Sequence, residues 1–171
     1  MTATPGGWKD SQSTMPGGAR SRPPAIEGVT VFELGNVLTR SGFMTEIFRA
    51  DWAMAESPIG QINWVELNPG AVTDWHRHMA QTDRLVGVNG IIKLALLDGR
   101  PGSPTEGASD IIRLGALRPV VVTVPPGVWH GLRNESGERA GYLNLADQMF
   151  IHADPDNYRL AADSPEIAGL L

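Results

Sequence analysis

From residue 29 onward the chain is a succession of short β-prone segments, at 29–34, 44–49, 61–67, 83–88, 91–97, 111–114, 120–124, 141–146 and 149–152. Gly, Pro, Asn or Asp separates most of them, and apolar runs of this length between turn formers read as strands. Only 51–56 and a final turn at 164–170 look helical. With no long helix to carry parallel crossovers, these strands must pair antiparallel, in a sandwich or barrel. The 20 glycines and 13 prolines in 171 residues exceed average usage of about 12% and fit a fold with many turns. The strongest local signal is Val88-Asn89-Gly90-Ile91, which predicts a two-residue type I′ hairpin.

A chain of this length builds one core. The expected organisation is an N-terminal arm over 1–27, a β-barrel over 28–152, and a C-terminal tail over 153–171 that packs on the barrel with a short helix. The arm holds two Gly-Gly pairs and a Pro-Pro, so it is expected to be disordered or extended. If it is exchanged with a partner subunit, Trp8 is its anchor.

A net charge of −5 and a pI near 5.3 give no general attraction for phosphate backbones or anionic membranes. The expected partner is a small-molecule substrate, with no nucleic acid and no membrane. The absence of cysteine excludes disulfides and thiolate metal sites. No apolar run reaches the roughly 18 residues of a membrane span, and residues 1–28 hold no signal-peptide core. A cytoplasmic protein is expected.

Two stretches carry chemistry. Gly70 to Gly90 spells G-x5-H-x-H-x4-D-x6-G, and Pro125 to Asn134 contains P-x-G-x2-H-x3-N. On a strand, His76 and His78 point to one face while Trp75, Arg77 and Met79 point to the other. Asp83 rejoins that face only if 79–82 makes a bend. With His130 on a neighbouring strand, three nitrogens and one oxygen enclose a volume suited to one divalent transition metal, Fe, Mn, Zn, Ni or Cu. The expected chemistry is metal-assisted isomerase, lyase or oxygenase work on a small oxygenated substrate, with Tyr142 or a bound water moving protons. Gln61, Asn63 and Trp64, with Glu66, lie on a strand leading to the mouth of the site. Glu46 and Arg49 read as a surface pair and His152 as structural.

The paired motifs resemble those of the cupin superfamily, with Asp83 where glutamate is usual and Pro119 where a glycine is usual. That resemblance implies an all-β, antiparallel jelly-roll barrel with the site inside and a homodimer as the expected state. A second resemblance, over 38–167, is to the dTDP-4-dehydrorhamnose 3,5-epimerase-like branch. Residues 39–49 are similar to its D-x-R-G-x-F-x-E-x-F-R segment, 102–105 to its G-S-P-T, and 126–132 to its P-x-G-x-A-H-G-F. It implies His76 as the base that removes a proton beside a keto group. The family's lysine falls on Asp83, or on Arg84 with a one-residue deletion; its tyrosine falls on Tyr142 or Asn144. Arg84 and Asn144 are thereby candidate substrate contacts. Thr73 stands where the family has arginine, the C-terminal S-x-K-D is absent, and His78 replaces a glutamine in enzymes that need no metal. A metal-dependent enzyme is the first expectation. A metal-free sugar-nucleotide epimerase and a non-catalytic binding barrel are the alternatives.

Overall fold

The computed structural model describes residues 3–4, 6–8, 12, 14, 23–55, 58–161 and 163–171. Most of the 1–27 arm lies outside the described residues, as does the side chain of Trp8; Ala3–Thr4 (β1) pairs antiparallel with Gly7–Trp8 (β2).

Two five-stranded antiparallel sheets face each other. The first runs, in spatial order, Ser109–Gly115 (β10), Ile91–Asp98 (β9), Val128–Asn134 (β12), Trp75–Arg77 (β7) and Tyr158–Leu160 (β14). The second runs Thr30–Glu33 (β3), Val120–Val124 (β11), Asp83–Asn89 (β8), Ala140–Ala146 (β13) and Gln61–Leu67 (β6). Asn36–Thr39 (β4) and Gly42–Thr45 (β5) form a hairpin of their own. From β7 to β13 the chain changes sheet at every step but β9 to β10, the winding of a jelly roll. The expected cupin fold is the one observed.

Period-two burial explains how the layers hold. Leu94, Leu96 and Leu132 from the first sheet meet Leu85, Val122 and Tyr142 from the second in the main core, each large apolar side chain stabilising by about 1.5–3 kcal/mol when buried. Ile26 joins that core, where the backbone N–H groups of Ala25 and Glu27 donate to Asp110 Oδ2 and Thr105 Oγ1 at 3.0 and 2.9 Å. Outside the first sheet, Trp75 and Ala95 are covered by Leu160, Ile167, Leu170 and Leu171 of the C-terminal segment. Gly131 makes room for this layer, since a Cβ there would lie 2.6 Å from Leu171 and 3.2 Å from the Trp75 ring. Outside the second sheet, Ile47, Phe48 and Met54 pack on Val86, Val121 and Leu145.

Several local expectations are corrected. The Asn-Gly pair makes no hairpin: β8 pairs with β11 and β13, and β9 with β10 and β12. A type I′ turn needs positive φ at both central residues, but Gly90 has φ +66° and no described non-glycine residue has positive φ. The pair turns a corner between sheets instead. Ile91 N–H donates to Ser136 Oγ, Asn89 Nδ2 donates to Arg139 O, and a Cβ at Gly90 would meet that of Ala140 at 2.6 Å. Residues 149–152 form no strand, and the strand expected over 44–49 ends at Thr45 as part of the β4–β5 hairpin. The helical stretch at 51–56 is a 3-10 turn over Ala53–Ala55, with Glu56 outside the described residues; the final turn is Pro165–Ile167. Within the 153–171 tail, β14 adds an edge strand to the first sheet, a pairing not anticipated from sequence.

Candidate functional site

The site lies at one end of the gap between the sheets. On β7, Trp75 and Arg77 turn outward, Arg77 lying 4.5 Å over the Trp129 ring, which leaves His76 facing inward. His130 is the cross-strand partner of His76 on β12, and the two rings stand 4.0 Å apart, centroid to centroid. His78 follows one residue past the end of β7 on the same face, its ring 5.6 Å from that of His76. The chain then bends at Met79 and Ala80, and Asp83 enters from the opposite sheet at the start of β8. One ligand-type atom from each of His76, His78, Asp83 and His130 lies within 4.8 Å of the others. The expected convergence of the two motifs is therefore present.

Asp83 is the hub. Its Oδ2 lies 3.3 Å from His78 Nε2 and 3.2 Å from His130 Nε2, while Oδ1 accepts from Gln81 Nε2 at 2.7 Å and from Asn144 Nδ2 at 3.0 Å. The Oδ2–His130 contact is a charge contact off the hydrogen-bond axis, and neither buried atom has an aligned partner. Burial pushes the Asp83 carboxyl up, but His130 and His78 together outweigh it and hold it well below the ordinary carboxylate range. His78 is placed between two acceptors: its Nε2 faces Asp83 and its Nδ1 faces the backbone carbonyl of Asp156. Burial lowers its pKa, yet the Asp83 and Asp156 contacts prevail and raise it. His76 goes the other way. Burial first, then the neighbouring His130, lower it to about 3, so its imidazole is neutral. Tyr142, on β13, has its phenol raised to about 12, by burial and then by Asp83.

A cavity of about 360 Å³ opens at this end of the barrel, with His76, His78, Tyr142, Asn144, Gln61 and Asn63 in its wall. Asp83 and His130 sit behind it, each only 1% exposed. Trp64 and Arg84 are not brought to it. Alternation on β6 turns Gln61, Asn63 and Val65 inward and leaves Trp64 69% exposed on the outer face. Arg84, next to Asp83, turns to the opposite, buried side of its sheet. Glu66 also points outward, 3.7 Å from Arg139. Glu46 and Arg49 pair at the surface at 3.3 Å.

Sequence reasoning missed Asp156 and Arg159. The Asp156 carboxylate accepts from the backbone N–H groups of Met79, Ala80 and Gln81 at 2.8, 2.8 and 3.1 Å. Burial raises it, but these bonds and His78 lower it further. Arg159 pairs with His76 in register on β14, and its guanidinium lies 3.9 Å from Asp74 at the cavity mouth. The available signal was weak: an aspartate that can bind successive backbone N–H groups, inside a segment already read as a tail.

No protein-family model matches the chain. A probable low-salt glycan biosynthesis epimerase of Haloferax volcanii is 31% identical over 141 residues, 82% of this chain and 90% of that protein. The spore coat polysaccharide biosynthesis protein SpsL of Bacillus subtilis is 29% identical over 142 residues, 83% and 93% of the two chains. A solved dTDP sugar isomerase from Desulfovibrio desulfuricans superposes with a TM-score of 0.79 at 28% identity, over 84% of this chain and 90% of that one.

These likenesses overturn the first expectation, a metal-dependent isomerase, lyase or oxygenase built on a divalent metal at His76, His78, Asp83 and His130. One relative is a probable glycan biosynthesis epimerase and the solved structure is a dTDP sugar isomerase, and epimerases of this kind are metal-independent. The four side chains have another physical reason to converge. One oxygen of the Asp83 carboxylate faces the Nε2 atoms of His78 and His130, and its second oxygen is occupied by two amide donors. With this fold and this identity over nearly the whole of both chains, the chain belongs to the dTDP-4-dehydrorhamnose 3,5-epimerase-like family of cupin-fold enzymes.

Proposed function

We propose that this protein epimerises a 4-keto sugar nucleotide by proton transfer at a carbon beside the keto group, with no metal ion. His76 is the base and Tyr142 the acid. The observation that carries this reading is that a neutral imidazole and a proton-retaining phenol come from opposite sheets into the wall of one cavity. His76 takes the proton from carbon, and the C–H electron pair moves into the adjacent C–C bond to give the enolate. Tyr142 then returns a proton to the other face of that carbon, which inverts it. Negative charge developing on the substrate opposes the burial that depresses the basicity of His76. His78, with each ring nitrogen against an acceptor and its pKa raised by Asp83 and Asp156 against burial, lies in the same wall and favours negative charge on that enolate as it gains a proton. Arg159 at the mouth is the guanidinium offered to the diphosphate. We also infer a homodimer, closed over the exposed β4–β5 hairpin.

The test is solvent-deuterium exchange into dTDP-4-keto-6-deoxyglucose in the presence of a chelator. His76→Asn is expected to lower exchange on the order of 10²–10⁴-fold. Tyr142→Phe is expected to keep exchange on the base's face while inverted product disappears. Absence of exchange in the wild-type protein would remove the proposal.

A further inference from the structure

His76 has little to aim it from within the site. The imidazole of a catalytic histidine is usually oriented by a close hydrogen bond from its second nitrogen to a carbonyl or carboxylate. Among the described residues His76 has only a long contact of that kind, from Nδ1 to the Asp74 carbonyl at 3.5 Å, the outer limit of a hydrogen bond. The aim of the ring therefore follows the strand that carries it. That strand is short: β7 has three residues, and one of them, His76, is in register with β12, opposite His130.

A second hold lies on the outer face of the sheet. Arg77, the residue between His76 and His78, sits there between two rings: its Cζ is 4.5 Å from the centroid of Trp129 and 5.9 Å from that of Tyr158. Tyr158 is its partner in register on β14, and Trp129 precedes His130 on β12. One side chain thus joins the middle strand to both of its neighbours. The joint is aromatic and not ionic. Among the described residues no carboxylate pairs with Arg77, and its Nε is buried without a hydrogen-bond partner. A guanidinium over aromatic faces is attracted all the more as water is excluded. Gly99 leaves the space for this arrangement, since a Cβ there would lie 2.6 Å from Trp129 Cδ1 and 3.6 Å from Arg77 Nη1.

We propose that Arg77 is a positioning residue for the reaction: clamped between Trp129 and Tyr158 behind the sheet, it fixes β7 so that His76 stands at the reacting carbon. The inference rests on the reading of His76 as the base of a sugar-nucleotide epimerase. Arg77 itself touches no substrate, because it lies on the face opposite the cavity wall that holds His76 and His78. Its loss leaves the contacts of the bound sugar nucleotide in place and lets the base move. A misplacement of about 1 Å costs on the order of 10²-fold in rate. A fall in kcat with KM held is the signature of a contribution made only in the transition state.

The experiment reads kcat and KM for solvent-deuterium exchange into dTDP-4-keto-6-deoxyglucose, and follows backbone amides by hydrogen exchange. Arg77→Ala is expected to lower kcat on the order of tenfold or more with KM within about twofold. Its amides at His76 and Arg77 are expected to exchange about tenfold faster or more, while those of Leu94 and Leu96 in β9 stay slow. Arg77→Lys keeps a cation over the indole and is expected to return kcat to within about threefold of wild type. Trp129→Leu removes the clamp from its other side and is expected to lower kcat alike, the two losses together being smaller than their product. Arg113→Ala, which breaks an exposed pair with Glu135 on another part of the sheet, is expected to leave kcat unchanged. The clamp is wrong if Arg77→Ala keeps wild-type kcat, if its β7 amides stay as slow as in the wild type, or if Arg113→Ala lowers kcat equally. Where Arg77→Ala does not fold, Trp129→Leu decides, and unchanged kcat there overturns the clamp. A wild-type protein that exchanges no deuterium into the sugar removes the epimerase reading; wild-type exchange beside an unaffected Arg77→Ala removes the clamp alone.

Discussion

At the scale of single residues, the site separates the protonation of two histidines that lie two positions apart. His76 has lost its share of solvent and faces His130, so it stays neutral; His78 is held between a carboxylate and a carbonyl, so its pKa is raised. The consequences for stability have opposite signs. For His76, the unfolded chain binds a proton near pH 6.5 that the folded chain refuses until about pH 3, so stability falls as pH drops across that window. For His78, whose folded pKa is raised, the contribution is fully present below pH 6.5 and is lost as pH rises through the folded value. His76→Asn is therefore expected to flatten the acid limb of a plot of urea midpoint against pH between about pH 6.5 and 3; an unchanged slope there would show that His76 titrates normally. Asp83 ties His78 and His130 to the second sheet. Asp83→Asn removes the charge shared by His78 and His130, and a loss of about 3 kcal/mol is expected in urea unfolding near pH 6, the cost typical of breaking a buried pair.

At the scale of elements, the bend that carries His78 into the site is held by another segment, not by its own turn. Asp156 receives the three N–H groups of that bend and also holds His78 through its carbonyl. Asp156→Ala leaves those donors without a protein partner. It is expected to cost about 2 kcal/mol and to speed amide hydrogen exchange at Met79, Ala80 and Gln81, while exchange in β9 and β12 stays slow. Equal acceleration throughout would mean that the change acts on the whole fold. This long-range contact also marks the limit of what the sequence makes legible. Strands β6 and β11 were legible to the residue because each alternates or runs apolar between clear turn formers, and the H-x-H spacing placed His76 and His78 on one face. The Asn-Gly pair misled because the same glycine that suits a hairpin also suits a corner where Ala140 crowds the backbone. Strand β14 went unseen because Tyr158-Arg159-Leu160 is too short to show a period, and its pairing with β7 exists only once the tail has packed over Trp75. The family resemblance placed Arg84 at the site and the strand leading to its mouth placed Trp64 there, and strand alternation turned both away.

At the scale of the whole molecule, the β4–β5 hairpin carries a cluster of exposed large apolar side chains on two adjacent strands. Val37, Leu38, Phe43 and Met44 are all more than half exposed, Leu38 at 86%, and the hairpin's only paired edge is internal. A two-stranded hairpin is at best marginally stable alone in water, and a contiguous cluster of exposed large apolar side chains marks a contact site. The homodimer inferred above would cover this face with a second copy of the chain in an isologous contact about a twofold axis. A dimer mass is therefore expected by sedimentation equilibrium at micromolar concentration. Phe43→Glu places a charge in that contact and is expected to shift the distribution to monomer, whereas Tyr158→Glu, on the edge strand β14 of the first sheet, leaves it unchanged. Because the hairpin leads directly into Ile47 and Phe48, which cover Val86 and Val121 behind the site, the monomeric variant is also expected to unfold at lower urea than the wild-type protein at equal concentration. A wild-type protein that sediments as a monomer, with the hairpin amides protected from hydrogen exchange, would show that the hairpin holds without a partner.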